Sequence, residues 1–397
     1  MSSENQNSAS KQTESLYHQA DFAALAYAYG KPLFKGELKT IPEDFKVTEI
    51  SASQLTGEGE HLWCWVEKRG QNTDWVAGML AKWAGTAKHN VGFAGQKDRQ
   101  AVTQQWFSIQ LPGKADPDPQ TLDIDGVRIL KMQRHNKKIQ RGALLGNRFE
   151  LVIRNISCCT EVLAVEEIKR ALQTRLETLQ KHGVPNYFGQ QRFGREGNNL
   201  VQGEKLLLTG LGKQDRRTRR GAKRKGGNHN QQSLYISALR SWMFNELLSL
   251  RIHQNNWNQV VKGDILQSAN SEAVLLVEPE QNLARLQASI DANEWLITGG
   301  LFGDGILPTM EDAYKLEQQV VQKYQAWCDA LSANRVKQDR RALTLMPQEL
   351  SWSFDELAEP ADIKSNQQDS NSLTLKLSFT LPAGSFATMV LREIVQV

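Results

Sequence analysis

Apolar and polar side chains alternate along several short stretches of this chain, and each such stretch predicts a β-strand. The stretches are 45–50, 61–67, 102–110, 146–154 and 373–380, with a further strand-rich pattern at 342–354. Alternation of period two places every second side chain on the same face of a strand. The pattern therefore predicts strands in the first half of the chain and again near its end.

Other stretches repeat their apolar residues at helical spacing, which predicts amphipathic helices. Between 73 and 84 the apolar face consists of Val76, Met79, Leu80 and Trp83. Thr73 is placed to cap the start of this helix. Between 161 and 181 the apolar face consists of Val162, Val165, Ile168, Leu172, Leu176 and Leu179. Gly183 is expected to end this second helix.

The character of the chain changes near residue 205. A basic stretch comes first, followed by a predicted helix at 235–252, short strands and an amphipathic helix at 310–330. Strand-like alternation then returns. We therefore predict a core of residues 17–205 and 340–397, interrupted by an inserted domain at 206–339.

The composition is typical of a globular protein without a membrane-spanning segment. Hydrophobic residues make up 40% of the 397 residues, enough for a sizeable core. No apolar run approaches the roughly 20 residues that cross a bilayer. The start of the chain lacks the apolar centre of a signal peptide. We expect a cytoplasmic protein in which the polar residues 1–16 form a disordered tail.

The cysteines and histidines do not predict a metal site. The four cysteines are Cys64, Cys158, Cys159 and Cys328, and no pair of them has the spacing of metal ligands. The seven histidines are scattered along the chain. We expect reduced thiols, no metal and no cofactor.

Positive charge is concentrated in one stretch, although the net charge is only +4. Between Lys213 and Lys225 the chain has eight cations and one acid. Such a block is typical of segments that bind polyanions, and the phosphate-binding candidates are Arg216, Arg217, Arg219 and Arg220. A solvated loop is the alternative. The two interpretations are compatible, because such loops often become ordered when they contact phosphate.

One loop combines glycines with a carboxylate between two cations. Gly92 and Gly95 permit a tight turn, and Asp98 follows between Lys97 and Arg99. A carboxylate between cations, on a loop beside a predicted strand, is suited to remaining ionised. An ionised carboxylate can act as a nucleophile or a base. From these residues alone, an Asp that only satisfies local backbone amides remains the alternative.

Four blocks of the chain together carry a family resemblance. They are Ile41–Glu49, Ala94–Gln104, Pro185–Gly194 and Leu381–Glu393, in that order. Each resembles a block of the TruD family of tRNA pseudouridine synthases. The stretch Ile297–Gly303 also resembles a family block, although Gly300 stands where family members often have Pro. Several ordered blocks are a stronger signal than one short motif.

The resemblance implies functional roles for particular residues. Asp98 would be the catalytic carboxylate, which attacks the sugar or the base or abstracts a ribose proton. Phe188 would stack on a flipped-out base, and Asn186 would order the site. Lys46 would keep Asp98 ionised, and Glu49 would organise the neighbouring polar network. Without the resemblance, a core Phe, a turn Asn and a surface charge pair are the alternatives.

The resemblance also implies the fold and the reaction. The expected fold is α+β, with a pseudouridine synthase core of a mixed, largely antiparallel sheet flanked by helices, and an inserted α/β domain. The expected activity is the isomerisation of uridine 13 of tRNA to pseudouridine by a monomer without a cofactor, with the RNA in a basic cleft between two lobes. A non-catalytic RNA-binding protein or RNA chaperone on the same scaffold is the alternative. An RNA-processing hydrolase is disfavoured by the missing metal cluster.

Overall fold

The computed structural model describes residues 20–209, 227–356 and 373–397. These residues form two compact units. One, which we call the sheet unit, comprises Ala28–Asn186 and Thr344–Val397. The other, which we call the helical unit, comprises the described residues up to Tyr27 together with Tyr187–Leu343.

The strands and helices follow one another along both units. The strands are β1 (Phe34–Leu38), β2 (Phe45–Ile50), β3 (His61–Arg69), β4 (Val91–Gly92), β5 (Val102–Gln110), β6 (Val127–His135), β7 (Gly146–Cys158), β8 (Val184–Pro185), β9 (Ile265–Ser268), β10 (Val274–Leu276), β11 (Trp295–Leu301), β12 (Asp339–Ala342), β13 (Thr344–Leu345), β14 (Gln348–Glu356) and β15 (Leu373–Pro382). The helices are α1 (Thr73–Trp83), α2 (Val165–His182), α3 (Asn198–Thr209), α4 (Gly227–His253), α5 (Leu283–Asp291), α6 (Glu311–Lys323), α7 (Gln325–Ala333) and α8 (Ala387–Arg392).

One large sheet organises the sheet unit. Its strand order is β14-β15-β7-β2-β5-β3-β6, while β1 also pairs with β7 and β4 pairs with β5. Strands β2 and β5 run parallel, whereas the other pairs in this sheet are antiparallel. The predicted mixed, largely antiparallel sheet is therefore confirmed. The parallel pair places the start of β2 and the start of β5 side by side.

Helix α2 covers one face of this sheet through its apolar stripe. Ile168, Leu172, Leu176 and Leu179 are buried in a core that includes residues of β7 and β15. Full burial of each such side chain contributes about 1.5–3 kcal/mol. The predicted start of this helix was too early. The helix begins at Val165, and Val162 is exposed because it precedes the first turn.

Helix α1 packs on the part of the large sheet that β3 and β5 form. Val76, Ala77, Leu80 and Ala81 are buried with residues of β3 and β5. The predicted N-cap, Thr73, was wrong by one position. The side chain of Asn72 caps the helix by accepting hydrogen bonds from the next backbone amides, which leaves the buried Thr73 hydroxyl available for other contacts.

The helical unit contains a smaller antiparallel sheet with the order β10-β9-β11-β12. Helix α4 contributes Trp242, Met243, Phe244 and Leu247 to its core, all nearly inaccessible to solvent. The helix predicted at 310–330 is instead two helices, α6 and α7. They are separated at Tyr324, whose backbone leaves helical geometry (φ −113°) and whose buried hydroxyl accepts a hydrogen bond from Trp242 Nε1 at 2.9 Å.

The division between the units comes earlier in the chain than the boundary predicted at residue 205. It falls between Asn186 and Tyr187. The Tyr187 hydroxyl donates to the carbonyl of Ala26 at 3.1 Å, and helix α3 packs against α4. These contacts attach 187–209 to the helical unit. In the part of the chain that the structure describes, no helix is long and apolar enough to cross a membrane.

Candidate active site

Asp98 lies on the loop that connects β4 to β5 in the sheet unit. The two glycines at the start of this loop have different roles. A Cβ at Gly92 would lie 2.5 Å from the carbonyl oxygen of Ile139, so the close backbone approach requires glycine there. A Cβ at Gly95 would meet open space. The loop therefore depends on Gly92 for packing rather than on both glycines for a turn.

The Asp98 carboxylate is held from two sides. Its Oδ1 accepts a hydrogen bond from the backbone amide of Gln100 at 2.9 Å, and its Oδ2 forms an ion pair with Lys39 Nζ. Lys39 follows β1 directly and has a left-handed backbone (φ 62°), which is uncommon for a residue other than glycine. The Lys39 ammonium also lies 4.2 Å from the centre of the Phe45 ring. Both charged side chains remain partly exposed, so the carboxylate is positioned without being sealed from solvent.

The backbone of the same loop is fixed by buried polar side chains. The Thr73 hydroxyl accepts from the amide of Lys97 at 3.0 Å and lies 3.2 Å from Gln105 Oε1. Gln105 Nε2 donates to the carbonyl of Gly95 at 3.1 Å. A reactive group keeps its geometry when its neighbours are locked by packing and hydrogen bonds. The loop that carries Asp98 meets that condition.

Lys68 is hydrogen-bonded to the backbone of Asp98. This completely buried lysine donates from Nζ to the carbonyls of Gln71 and Asp98, each at 2.8 Å. Burial lowers the pKa of Lys68 to about 8, while the negative charge of Asp98 acts in the opposite direction. The Asp98 carbonyl therefore accepts a hydrogen bond from a lysine whose charge is poorly solvated.

Glu49 and Lys97 form a buried ion pair next to the loop. Lys97 Nζ lies 3.2 Å from Glu49 Oε2 and donates to Asn147 Oδ1 at 2.8 Å. Glu49 Oε1 also accepts from the amide of Trp106 at 3.3 Å. Burial raises the pKa of Glu49 and lowers that of Lys97, and the contact between them offsets both effects. Glu49 thus neutralises Lys97, so Lys97 is not the cation that contacts Asp98.

Asp98 opens onto a cavity of about 760 Å³. Its lining residues come from the loops after β1, β3 and β4 and are Lys39, Pro42, Gly70, Asp98, Arg99 and Gln100. Pockets of roughly 300–1,000 Å³ are typical of small-molecule sites. The cavity is large enough for a nucleoside, and it brings one carboxylate and two cations to its wall.

Lys46 lies elsewhere in the sheet unit. It is exposed and lines a separate groove with residues of β7, β14 and β15. Glu49, three residues later on β2, is buried, as expected for residues on opposite faces of a strand. The pairing of β2 with β7 is continuous from Phe45 to Ile50, so no bulge redirects Lys46. The position beside Asp98 that the sequence analysis gave to Lys46 is occupied by Lys39.

Two other predicted site residues, Asn186 and Phe188, stand on either side of the division between the units in the sequence. Asn186 is buried in the sheet unit next to β8, whereas Phe188 belongs to the helical unit. Asn245 binds both backbone groups of Phe188. It accepts from the amide at 2.8 Å and donates to the carbonyl at 2.9 Å. The Phe188 ring packs edge-on against Phe244, with 5.6 Å between ring centres. Arg216, Arg217, Arg219 and Arg220 lie outside the described residues.

Comparison with known proteins decides the family. The family model described as tRNA pseudouridine synthase D (TruD) matches residues 22–209 and 195–394. The chain belongs to the tRNA pseudouridine synthase D family. It is 43% identical over 372 residues to the tRNA pseudouridine synthase D of Hydrogenovibrio crunogenus, with 94% of this chain and 96% of that protein covered. It is 41% identical over 376 residues to the Vibrio vulnificus protein of the same name, with the same coverage.

A solved structure agrees with the fold of this tRNA pseudouridine synthase D family member. It comes from Methanosarcina mazei and is described as a candidate tRNA pseudouridine synthase D. The TM-score is 0.67 at 22% sequence identity, with 94% of this chain and 96% of that chain covered. The predictions of the family, of an enzyme of the pseudouridine synthase class and of the α+β fold are therefore confirmed.

Two residues of the candidate site were missed by the sequence analysis. Lys39 stands two positions before the block Ile41–Glu49, and Lys68 directly follows the strand predicted at 61–67. The proximity of Lys39 to a family block was an available signal. Lys68 had none, because a lysine just beyond a predicted strand is usually solvated.

Proposed function

We propose that this protein isomerises a uridine of tRNA to pseudouridine, that the target is uridine 13, and that Asp98 provides the reacting carboxylate. Membership of the tRNA pseudouridine synthase D family supports the reaction class, and the names of the relatives support tRNA as the substrate. The observation that carries the proposal is the ion-paired, hydrogen-bonded Asp98 at the wall of a nucleoside-sized cavity.

The reaction needs few functional groups. The bond from C1′ of the ribose to N1 of uracil breaks, the base turns, and a bond from C1′ to C5 forms. The proton on C5 is lost and N1 gains one, so atoms and electrons balance without an oxidant or a cofactor. The protein must extrude the base, which costs a few kcal/mol, and must present a carboxylate that serves as nucleophile or base. Lys39 complements the negative charge of that carboxylate.

The remaining roles belong to the same proposal. Phe188 offers a ring to the extruded base, and its double hydrogen bond to Asn245 supports a fixed position. Asn186 orders the adjoining backbone, and Glu49 compensates Lys97. Arg216, Arg217, Arg219 and Arg220 contact tRNA phosphates.

The test maps pseudouridine in an unmodified tRNA transcript before and after incubation with the protein. We expect one new pseudouridine, at position 13, in the presence of a chelator that leaves the tRNA folded. A new pseudouridine at another position would contradict the target but retain the reaction. Tight tRNA binding without any new pseudouridine would support the non-catalytic RNA-binding alternative.

A further inference from the structure

The loop between β6 and β7 in the sheet unit concentrates positive charge. It comprises residues 136–145, and we call it the basic loop. It lies within a part of the chain, 126–149, that contains seven lysines and arginines and no Asp or Glu. This part is separate from the basic stretch 213–225. Charge of one sign over such a length is typical of segments that contact a polyanion.

The cations in 126–149 differ in whether an acid neutralises them. Arg128 on β6 is paired with Glu67 at 2.7 Å, although 69% of its side chain is exposed. Lys137 and Arg141 of the basic loop are also exposed, but neither forms an ion pair with any residue in the described ranges. The basic loop therefore presents charge that is available to an anion from outside the protein.

Buried groups anchor the backbone of the basic loop. The carbonyl of Lys137 accepts a hydrogen bond from Trp63 Nε1 at 2.8 Å, and the amide of Ile139 donates to Ser108 Oγ at 2.9 Å. The Ile139 side chain is itself buried in a cluster with Trp63. A loop that is already ordered loses less conformational freedom when it binds a partner. The cations of the basic loop are therefore presented on a fixed backbone.

Arg141 is held by an aromatic ring and keeps its hydrogen-bond donors. Its guanidinium carbon lies over the buried Phe93 ring, 3.9 Å from the ring centre. Among the described residues its N–H groups have no hydrogen-bond acceptor. The guanidinium group carries several N–H donors in a rigid plane, and two of them match two oxygens of one phosphate. The ring therefore restrains Arg141 without using the donors that would bind a phosphate.

The basic loop adjoins the loop that carries Asp98. The amide of Gly142, next to Arg141, donates to the carbonyl of Ala94 at 2.8 Å. Ala94 precedes Asp98 by four residues, and four residues span at most about 14 Å. Both loops belong to the sheet unit. A phosphate at Arg141 would therefore lie within a few nucleotides of a nucleoside at Asp98.

We propose that Lys137 and Arg141 bind backbone phosphates of tRNA close to the nucleotide that reacts at Asp98. This inference rests on the proposed function for its substrate. The contact is with phosphate, because lysine and arginine side chains that offer only donors and charge respond to the backbone, which carries no sequence information. Lys138 is excluded, because its Nζ donates to the carbonyl of His89 at 2.6 Å.

The test measures tRNA affinity as a function of salt for Lys137→Gln, Arg141→Gln and the double variant. Each lost phosphate contact should flatten the plot of log affinity against log salt by roughly 0.7–0.9, so the double variant should change most. Arg141→Lys keeps the charge and should retain the wild-type slope. Arg128→Gln is the matched control. Its arginine is exposed and lies in the same part of the chain, but Glu67 already neutralises it, so the slope should not change.

Three results would overturn the inference. They are wild-type slopes in both Gln variants, equal flattening in Arg128→Gln, or an Arg141→Lys variant that behaves like Arg141→Gln. Thermal unfolding is measured for every variant. If Arg141→Gln fails to fold, Lys137→Gln decides alone, because the anchoring contact of Lys137 with Trp63 is made by its backbone and survives the substitution.

Two further measurements separate the inference from the proposed function and from free phosphate. Pseudouridine formation by the wild type, with unchanged salt slopes in the Gln variants, contradicts only the inference. Flattened slopes without pseudouridine formation contradict only the proposed function. Inorganic phosphate is also titrated at constant ionic strength. Flattened tRNA slopes without saturable phosphate binding support RNA as the source of the phosphate, whereas saturable phosphate binding with unchanged tRNA slopes contradicts it.

Discussion

The Asp98 loop and the Phe188 segment are held by different kinds of interaction. Asp98 is fixed by directional polar contacts, with Lys39 at its carboxylate and Lys68 at its carbonyl. Phe188 is fixed through its backbone by Asn245 and through its ring by apolar and cationic neighbours. A carboxylate that reacts needs defined charges around it, whereas a ring that stacks needs a stable orientation. Changes at the Asp98 carboxylate or at Lys39 should alter chemistry with little effect on stability, and changes at Phe188 should alter both packing and chemistry.

The largest effect is expected from Asp98→Asn. The amide preserves size and can still accept a hydrogen bond from Gln100, but it cannot act as a carboxylate nucleophile or base. We expect single-turnover pseudouridine formation to fall by about 10²–10⁴-fold or more, on the scale of lost acid–base catalysis. Thermal unfolding and tRNA affinity should remain close to wild type. Near-normal turnover by the folded variant would remove Asp98 from the mechanism.

The next largest effect is expected from Lys39→Gln, with Lys46→Gln as its control. Lys39→Gln removes the cation at the Asp98 carboxylate and should lower the single-turnover rate by about 10²-fold, as for loss of one stabilising charged or polar donor. Lys46→Gln is the matched control on an exposed strand face and should change the rate less than twofold, since exposed charges contribute little. The reverse order of effects would return the role to Lys46 and contradict our assignment of Lys39.

The aromatic region is tested by Phe188→Leu. Leu preserves apolar bulk but loses the ring face, which contributes roughly 1–3 kcal/mol per stacked base. At saturating tRNA we therefore expect a rate about 5- to 150-fold lower, with nearly unchanged affinity. Phe193→Leu is the control, because that buried ring packs on Trp242 and should affect stability but not the saturated rate. Equal rates for both variants and wild type would assign Phe188 to packing.

A smaller effect is expected from the basic stretch. Changing Arg216, Arg217, Arg219 and Arg220 to Gln should weaken tRNA binding most at low salt. It should flatten the salt dependence by roughly 0.7–0.9 per lost contact. Turnover at saturating tRNA should stay within about tenfold of wild type, because phosphate contacts position the RNA without breaking its glycosidic bond. An unchanged slope would show that the stretch makes no phosphate contacts, and a collapse of saturated turnover would place it at the reacting base.

Several strands of the large sheet were predictable because alternation of period two depends only on neighbouring residues, whereas β1, β4 and β6 were not predicted. Both β2 and β5 have the predicted bounds, 45–50 and 102–110. The same rule predicts that Lys46 and Glu49, three residues apart, face opposite sides, and in the structure Lys46 is exposed and Glu49 is buried. The start of α2 was less predictable, because Val162 continues the apolar spacing although the chain is not yet helical there.

The partners of Asp98 were not predictable by such local rules. The direction of the Lys39 side chain depends on one left-handed residue, and its contact joins positions far apart in the chain. The burial of Lys68 depends on the pairing of β3 with two other strands. A pattern along the sequence singled out Asp98 as a candidate carboxylate, whereas the charges around it depend on loop geometry and strand pairing.

The last prediction concerns Lys68 and the pH dependence of stability. Its pKa falls from the ordinary 10.5 to about 8 in the folded protein, because burial disfavours the charged form. Between those values the unfolded chain binds the proton more than the folded protein does. This group therefore makes the free energy of unfolding rise with pH, and the gain is lost as pH falls through about 8.

We expect the unfolding free energy of wild type minus that of Lys68→Met to increase from pH 7 to pH 9.5, as measured by urea unfolding. Subtracting the variant cancels the other titrating groups. A difference independent of pH would show that the buried ammonium keeps its charge, and that its bonds to the Asp98 and Gln71 carbonyls offset the cost of burial.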